Sequence, residues 1–158
     1  MTIMLTLATD FSKPFMTKVN FYDPQFLSGH KLIYSVIVAR YNNSWVFVRH
    51  HQRTTFEIPG GHIEENETPD EAAGRELMEE TGAIKFSLKC INTYSVTQED
   101  ETRFGKLYFA DITEIVAIPD ISEIVEIAFL DNLPDPVTYP EIQPFLFERV
   151  LAYLKPAP

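Results

Sequence analysis

The chain has 158 residues, 45% of them hydrophobic and 13% aromatic, with a formal net charge of -10 at pH 7. That supplies one folded domain with a sizeable core. The acid excess argues against a nucleic-acid duplex or an anionic membrane as partner, since both recruit a basic surface. The single cysteine, Cys90, cannot form an internal disulfide, which suits a reducing cytoplasm and a buried apolar role.

Residues 1–30 read as an N-terminal extension or an extra strand, and residues 31–158 as the main domain. The opening "MTIMLTLATDF" lacks a basic n-region and makes a poor signal peptide. Met16 offers an alternative start, with Met1 to Phe15 an extension. "KLIYSVIVARY" (Lys31 to Tyr41) is rich in β-branched and aromatic residues and predicts a strand. Asn42-Asn43 predicts a turn and "WVFVRH" (Trp45 to His50) a returning strand. Pro59-Gly60-Gly61 leads into a loop. Thr68 as N-cap, Pro69 at the first helical position and Glu71 closing a capping box then open a helix, which Gly82 ends. Phe86 to Thr97 and Phe104 to Thr113 read as a strand pair around a polar loop, and Glu123 to Leu130 as a further strand. From Pro140 to Leu154, apolar residues at helical spacing predict a closing helix. The pattern is α/β: a mixed sheet with helices packed on it.

The segment "GHIEENETPDEAAGRELMEETGA" carries eight carboxylates and one base, Arg75. Glu76, Glu79 and Glu80 stand at i, i+3 and i+4 and share a helix face. Arg75 can pair with Glu79, but one guanidinium does not neutralise three converging acids. A hard divalent cation, Mg²⁺ or Mn²⁺, does so with oxygen ligands alone. For an arbitrary acid-rich helix a solvated face is the commoner explanation. Here the spacing is more restrictive.

The segment resembles the Nudix box, G-x5-E-x7-R-E-U-x-E-E-x-G-U, where U is bulky and apolar. Gly61, Glu67, Arg75, Glu76, Glu79, Glu80 and Gly82 fill every fixed position and Leu77 the first U. Ala83, a small residue at the last U, is the one departure and concerns packing. "FEIPGG" before the box and "EIVEIAFLDNLP" after it are also typical of the family. The resemblance implies a Nudix-type α/β/α sandwich with a mixed β-sheet and a MutT-like, metal-dependent hydrolase that cleaves a diphosphate joined to another group, usually a nucleoside. It implies Glu76 and Glu80 as metal ligands, Glu79 as a ligand or the group that orients water, and the Gly60 carbonyl as a backbone ligand. Arg75 should orient a glutamate, and Glu67 should brace the loop through Arg75. Relatives often use another acid near the start of the last strand. Glu123 is the first candidate for that ligand or catalytic role and Glu126 the second, against a solvated strand-edge glutamate.

Outside the box, Arg49, Arg53, Arg103 and Lys106 are candidate phosphate contacts, and ordinary surface charge competes for each. His50 and His51 point to opposite faces of a strand and cannot chelate together; His62 reads as loop filler, and Trp45 as core. The missing marks of ADP-ribose, NADH and coenzyme A hydrolases favour a nucleoside triphosphate, such as 8-oxo-dGTP, cleaved to the monophosphate and pyrophosphate. ADP-ribose or another nucleotide sugar is the alternative substrate, and a nucleotide-sensing module without catalysis the alternative class. In "VTYPEIQP", Tyr139 and Glu141 are candidates to stack on and read the base; the competing reading has Pro140 starting a helix and Tyr139 packed in the core. A small-molecule nucleotide is the expected partner, and dimers are frequent in the family, so a homodimer is an open expectation.

Overall fold

A computed structural model describes residues 16–156. Seven strands and two helices follow in chain order: β1 (Lys18–Tyr22), β2 (Leu32–Tyr41), β3 (Ser44–His50), β4 (Gly60–His62), α1 (Pro69–Thr81), β5 (Ala83–Gln98), β6 (Glu101–Ile115), β7 (Ile124–Leu130) and α2 (Gln143–Leu154). The sheet runs β1-β5-β6-β2-β3-β7, with β4 pairing separately on β2. β2 and β6 are parallel, and the other pairings are antiparallel, so the sheet is mixed.

Strand periodicity sorts the core into two faces. Ile37 and Ala39 on β2, Val46 on β3, and Tyr108, Ala110 and Ile112 on β6 pack with Ala73 and Leu77 of α1. Their neighbours of opposite parity, Val38, Phe47 and Leu107, pack with Leu146, Phe147 and Val150 of α2. Trp45 meets Phe147 edge-on at 5.3 Å between ring centres and belongs to this second face, as expected. The result is the α/β/α sandwich. No helix among the described residues is long and apolar enough to cross a membrane.

α1 begins and ends where its caps predict. Thr68 accepts the Glu71 N–H, Glu71 returns to the Thr68 N–H, and Gly82 takes a left-handed conformation at φ 78°. Two bonds tie its first turn to the sheet: Tyr108 Oη donates to Asp70 Oδ1 at 2.6 Å and Ser35 Oγ to Pro69 O at 2.8 Å. The β2–β3 turn has both asparagines at positive φ, 50° and 65°.

Within residues 1–30, Lys18–Tyr22 forms an extra strand on β5, one of the two alternatives expected there, while the segment Met1 to Phe15 lies outside the described residues. Three boundaries differ from expectation. Gly60-Gly61-His62 is not loop but pairs with Val36, Ser35 and Tyr34 of β2. A Cβ on Gly60 would stand only 2.6 Å from Ser35 O, so glycine permits this close pairing; three residues are too few to show a period. β5 and β6 run further than expected and turn at Glu99 and Asp100, φ 50° and 64°, because cross-strand pairing such as Thr97 with Thr102 overrides the polar composition. Finally, α2 starts at Gln143 rather than Pro140. Tyr139 adopts φ 54° and accepts the Ile142 and Gln143 N–H groups at 3.0 Å, a turn that precedes the helix.

Candidate functional site

A cleft of about 1010 Å³ opens where β3, β4, α1 and the turn before α2 meet. Its volume suits a nucleotide-sized ligand. The glutamates of α1 reach it because of helix phase. Leu77 is fully buried against the sheet, and Glu76 and Glu80, on either side of it, turn toward the sheet edge at β4. Glu80 is 6% exposed and its Oε1 accepts the Gly60 N–H at 2.8 Å. The box glycine makes room for its neighbour: a Cβ on Gly61 would collide with the Glu76 carboxylate.

Arg75 gathers the remaining box acids. It binds Glu67 with two nitrogens, at 2.6 and 2.9 Å, and reaches Glu76 at 2.9 Å, Glu79 at 3.4 Å and the His62 carbonyl at 3.1 Å. The Glu67 carboxyl is held down at about 2 by its bond to Arg75, while burial and then the charge of Glu80 push Glu76 above the ordinary carboxylate range. Glu67 therefore braces the loop through Arg75. Glu79 stays beside Arg75 and does not line the cleft.

Two residues that sequence reasoning passed over stand in the middle of the site. His50 Nε2 lies 3.2 Å from Glu80 Oε2 and 3.6 Å from Glu57 Oε1, and its Nδ1 lies 3.7 Å from Glu123 Oε2. Its 3.2 Å approach to the Glu80 carboxylate raises the imidazole's pKa against the opposing effect of burial. Glu57 is pushed up mainly by burial, and its Oε1 is a buried oxygen with no hydrogen-bond partner. Reading His50 against His51 missed the relevant signal, which is parity with Val46 and Val48. That parity carries His50 to the α1 side of β3. His51, in the turn after β3, is exposed at the cleft rim, with its Nδ1 3.3 Å from the Glu123 carbonyl.

Of the other candidates, Glu123 lines the cleft and is 73% exposed at its side chain. Glu126 does not; it pairs with Arg49 at 3.1 Å on the opposite side of β3 and β7, which removes Arg49 from the cleft as well. Lys106 bonds the Pro24 carbonyl away from the site, and Arg103 lines the cleft while paired with Glu101. Arg53 reaches the cleft from the loop after β3. Its guanidinium donates to Tyr139 Oη at 2.7 Å and lies 4.9 Å from that ring's centre. Tyr139 is 46% exposed, so it is not the core residue of the competing reading. Glu141 lines the cleft beside it, and the buried Gln143 accepts the Ile58 N–H at 2.8 Å, which fixes its amide at the cleft wall.

The donors present fit a divalent cation: the carboxylates of Glu76 and Glu80 at the cleft and the backbone of Gly60 beside them. They are not arranged as a finished cage. Among the described residues no three His, Cys, Asp or Glu side chains already stand at chelating positions, because Arg75, His50 and the Gly60 N–H occupy the acids instead.

A mixed α/β sandwich with an acidic, arginine-braced loop–helix beside a nucleotide-sized cleft defines a hydrolase of the Nudix class. The NUDIX domain profile matches residues 31–140, and the chain belongs to that family, whose members act on phosphoanhydride bonds. It is 32% identical over 118 residues to a Bacillus subtilis protein provisionally named 8-oxo-dGTP diphosphatase YtkD, covering 75% of this chain and 73% of that one. It is 44% identical over 82 residues to the 8-oxo-dGTP diphosphatase of Proteus vulgaris, covering 50% of this chain and 71% of that one. Its fold matches the crystal structure of the Bacillus subtilis pyrophosphohydrolase BsRppH with a TM-score of 0.71 at 25% identity, over 88% of this chain and 92% of that one.

Proposed function

We propose that this Nudix pyrophosphohydrolase cleaves a nucleoside triphosphate, with an oxidised purine such as 8-oxo-dGTP the preferred base, to the monophosphate and pyrophosphate. The carrying observation is that one cleft holds both halves of such a site: Glu76 and Glu80 at one end, and the half-exposed Tyr139 with Arg53, Glu141 and the anchored Gln143 at the other. The names of two relatives support the same base class.

Glu76, Glu80 and the Gly60 carbonyl would hold Mg²⁺ or Mn²⁺, with Glu79 and Glu123 as further candidate ligands. The cation would supply charge neutralisation on the phosphate oxygens and a lowered pKa for water. Arg75 keeps Glu76 and Glu79 in place. Glu123, exposed across the cleft, accepts the proton of the attacking water. Water adds to phosphorus, the anhydride P–O bond breaks, and pyrophosphate leaves. Arg53 meets the phosphates and Tyr139 stacks on the base, while Glu141 and Gln143 read its edge. Arg49, turned toward Glu126, has no part in this scheme. We place the enzyme in the cytoplasm, in keeping with its lone, unpaired Cys90.

A panel of (d)NTPs, oxidised purine nucleotides, ADP-ribose, nucleotide sugars and 5′-triphosphorylated oligonucleotides tests the reading by product release. The expected result is chelator-sensitive turnover, highest on an oxidised purine triphosphate. Tyr139→Ala should raise KM for that nucleotide with metal dependence unchanged, and Glu141→Ala should flatten preference among bases. Preference for ADP-ribose would replace the substrate assignment, and a silent panel with retained nucleotide binding would replace the enzyme with a sensing module.

A further inference from the structure

An unbroken line of contacts joins the two ends of the cleft. Tyr139 Oη takes a hydrogen bond from Arg53, Arg53 Nε lies 3.6 Å from Glu57 Oε1, and Glu57 Oε1 lies 3.6 Å from His50 Nε2. His50 Nε2 in turn lies 3.2 Å from Glu80 Oε2. The middle of this line is undecided. Glu57 Oε1 is equidistant from two cationic side chains, bonded to neither, and shut off from water. A buried carboxylate oxygen without a partner is costly, so it will take the first donor that becomes available. His50 Nε2 has at most one hydrogen to give. It serves Glu80 or Glu57 but not both.

We propose that Glu57 is a positioning residue that governs whether His50 occupies Glu80, and so couples Arg53 at the nucleotide end of the cleft to the cation carboxylate. With Arg53 beside Glu57, His50 keeps its 3.2 Å contact with Glu80 and masks Oε2. When a phosphate draws Arg53 away, Glu57 loses its nearest guanidinium and claims the His50 N–H. Glu80 Oε2 is then free for a cation. Nucleotide and cation therefore bind with positive coupling carried by the protein, in addition to any direct contact between them. The part played by nucleotide rests on the proposed function above; the competition among Glu57, His50 and Glu80 does not.

Mn²⁺ affinity of the full chain without nucleotide, read from the paramagnetic resonance of free Mn²⁺, tests this directly. Glu57→Gln keeps the shape and weakens the competing acceptor, so His50 stays on Glu80 and Mn²⁺ should bind about tenfold more weakly, within the range typical of coupled sites. Arg53→Gln, on an exposed loop, should tighten Mn²⁺ severalfold by giving His50 to Glu57. Both effects should vanish in a His50→Asn background, since the asparagine amide ends short of the Nε2 position. Thermal melts of each variant confirm that all are folded. A Glu57→Gln effect that persists in the His50→Asn background overturns the proposal, because Glu57 would then act on the cation directly. An unchanged Mn²⁺ affinity in Glu57→Gln also overturns it, as does a wild-type chain that binds no Mn²⁺. The measurement uses no nucleotide, so a silent substrate panel alongside the expected Mn²⁺ pattern would sink only the substrate reading.

Discussion

Glu67 and Glu76 both touch Arg75, yet their carboxyls are driven in opposite directions. Glu67 receives two guanidinium bonds and is held at about 2, well below its ordinary 4.5. Glu76 shares the same arginine but is partly buried near the charge of Glu80, and the balance raises it. A depressed folded-state pKa contributes stability above the unfolded value and loses it as pH falls through the folded value. The Glu67–Arg75 contribution is therefore complete above about pH 4.5 and gone below about pH 2. Glu67→Gln should lower Tm at neutral pH and flatten the decline of Tm across that acid window. A melting series in which both proteins decline in parallel would show that the pair adds no net stability. Glu80 differs in kind, since its oxygens face Gly60 and the cleft. Glu80→Gln keeps an oxygen for the Gly60 N–H and removes a charge from the candidate cation site. It should cut kcat by roughly 10²-fold, the scale of losing one catalytic electrostatic group. Glu64→Gln, 66% exposed and 3.7 Å from Arg75, should be nearly silent in the same assay.

Each element is held where its neighbours need it. Gly82 ends α1 in a left-handed turn, its carbonyl accepting the Val116 N–H at 2.9 Å, and a Cβ there would collide with the Val116 carbonyl. Gly82→Ala should cost roughly 1–3 kcal/mol, the usual penalty for a side chain forced into this region. Urea unfolding would read the loss, and a variant as stable as wild type would mean that the turn after α1 can rearrange. This end of α1 was legible because its signals are local: Thr68, Pro69, Glu71 and Gly82 lie within a few residues of what they cap. The β-branched and aromatic richness that predicts β2 and β3 is local as well. β4 was not legible, because its pairing partner in β2 lies far back in the chain and its three residues carry no period. The same distance hid half of the site. Glu57 comes beside His50 through an isolated bridge between Val48 and Glu57, two backbone hydrogen bonds of 2.8 and 2.9 Å. Nothing in the composition of "TTFEIPGG" announces that bridge. Box spacing places the helix acids, whereas charge and a position just before the box loop do not say which way Arg49 points, and strand parity turns it toward Glu126.

At the scale of the whole molecule, a chain of net charge -10 places eight carboxylates and one arginine in the segment 61–83, beside the cleft where substrate phosphates would add more negative charge. The described structure relieves the cluster with Arg75 and His50, whose contacts stand in for the charge a cation would bring. A ligand that binds only the folded state stabilises it by mass action, about 2.7 kcal/mol at a hundredfold excess over Kd. For a chain of this length that corresponds to a rise in Tm of roughly 5–10 °C. Saturating Mn²⁺ should produce such a rise, and a chelator should reverse it. General screening of the acidic surface would also raise Tm, but it would do so equally with NaCl at matched ionic strength and equally in every variant. The Glu80→Gln protein separates the two. Without metal it should melt close to wild type, since the Gly60 bond is kept and one buried charge is gone. With Mn²⁺ it should show only the small increment that NaCl also gives. A full Mn²⁺ shift in Glu80→Gln would move the cation away from the box helix and leave Glu80 as a partner for His50 and Gly60 alone.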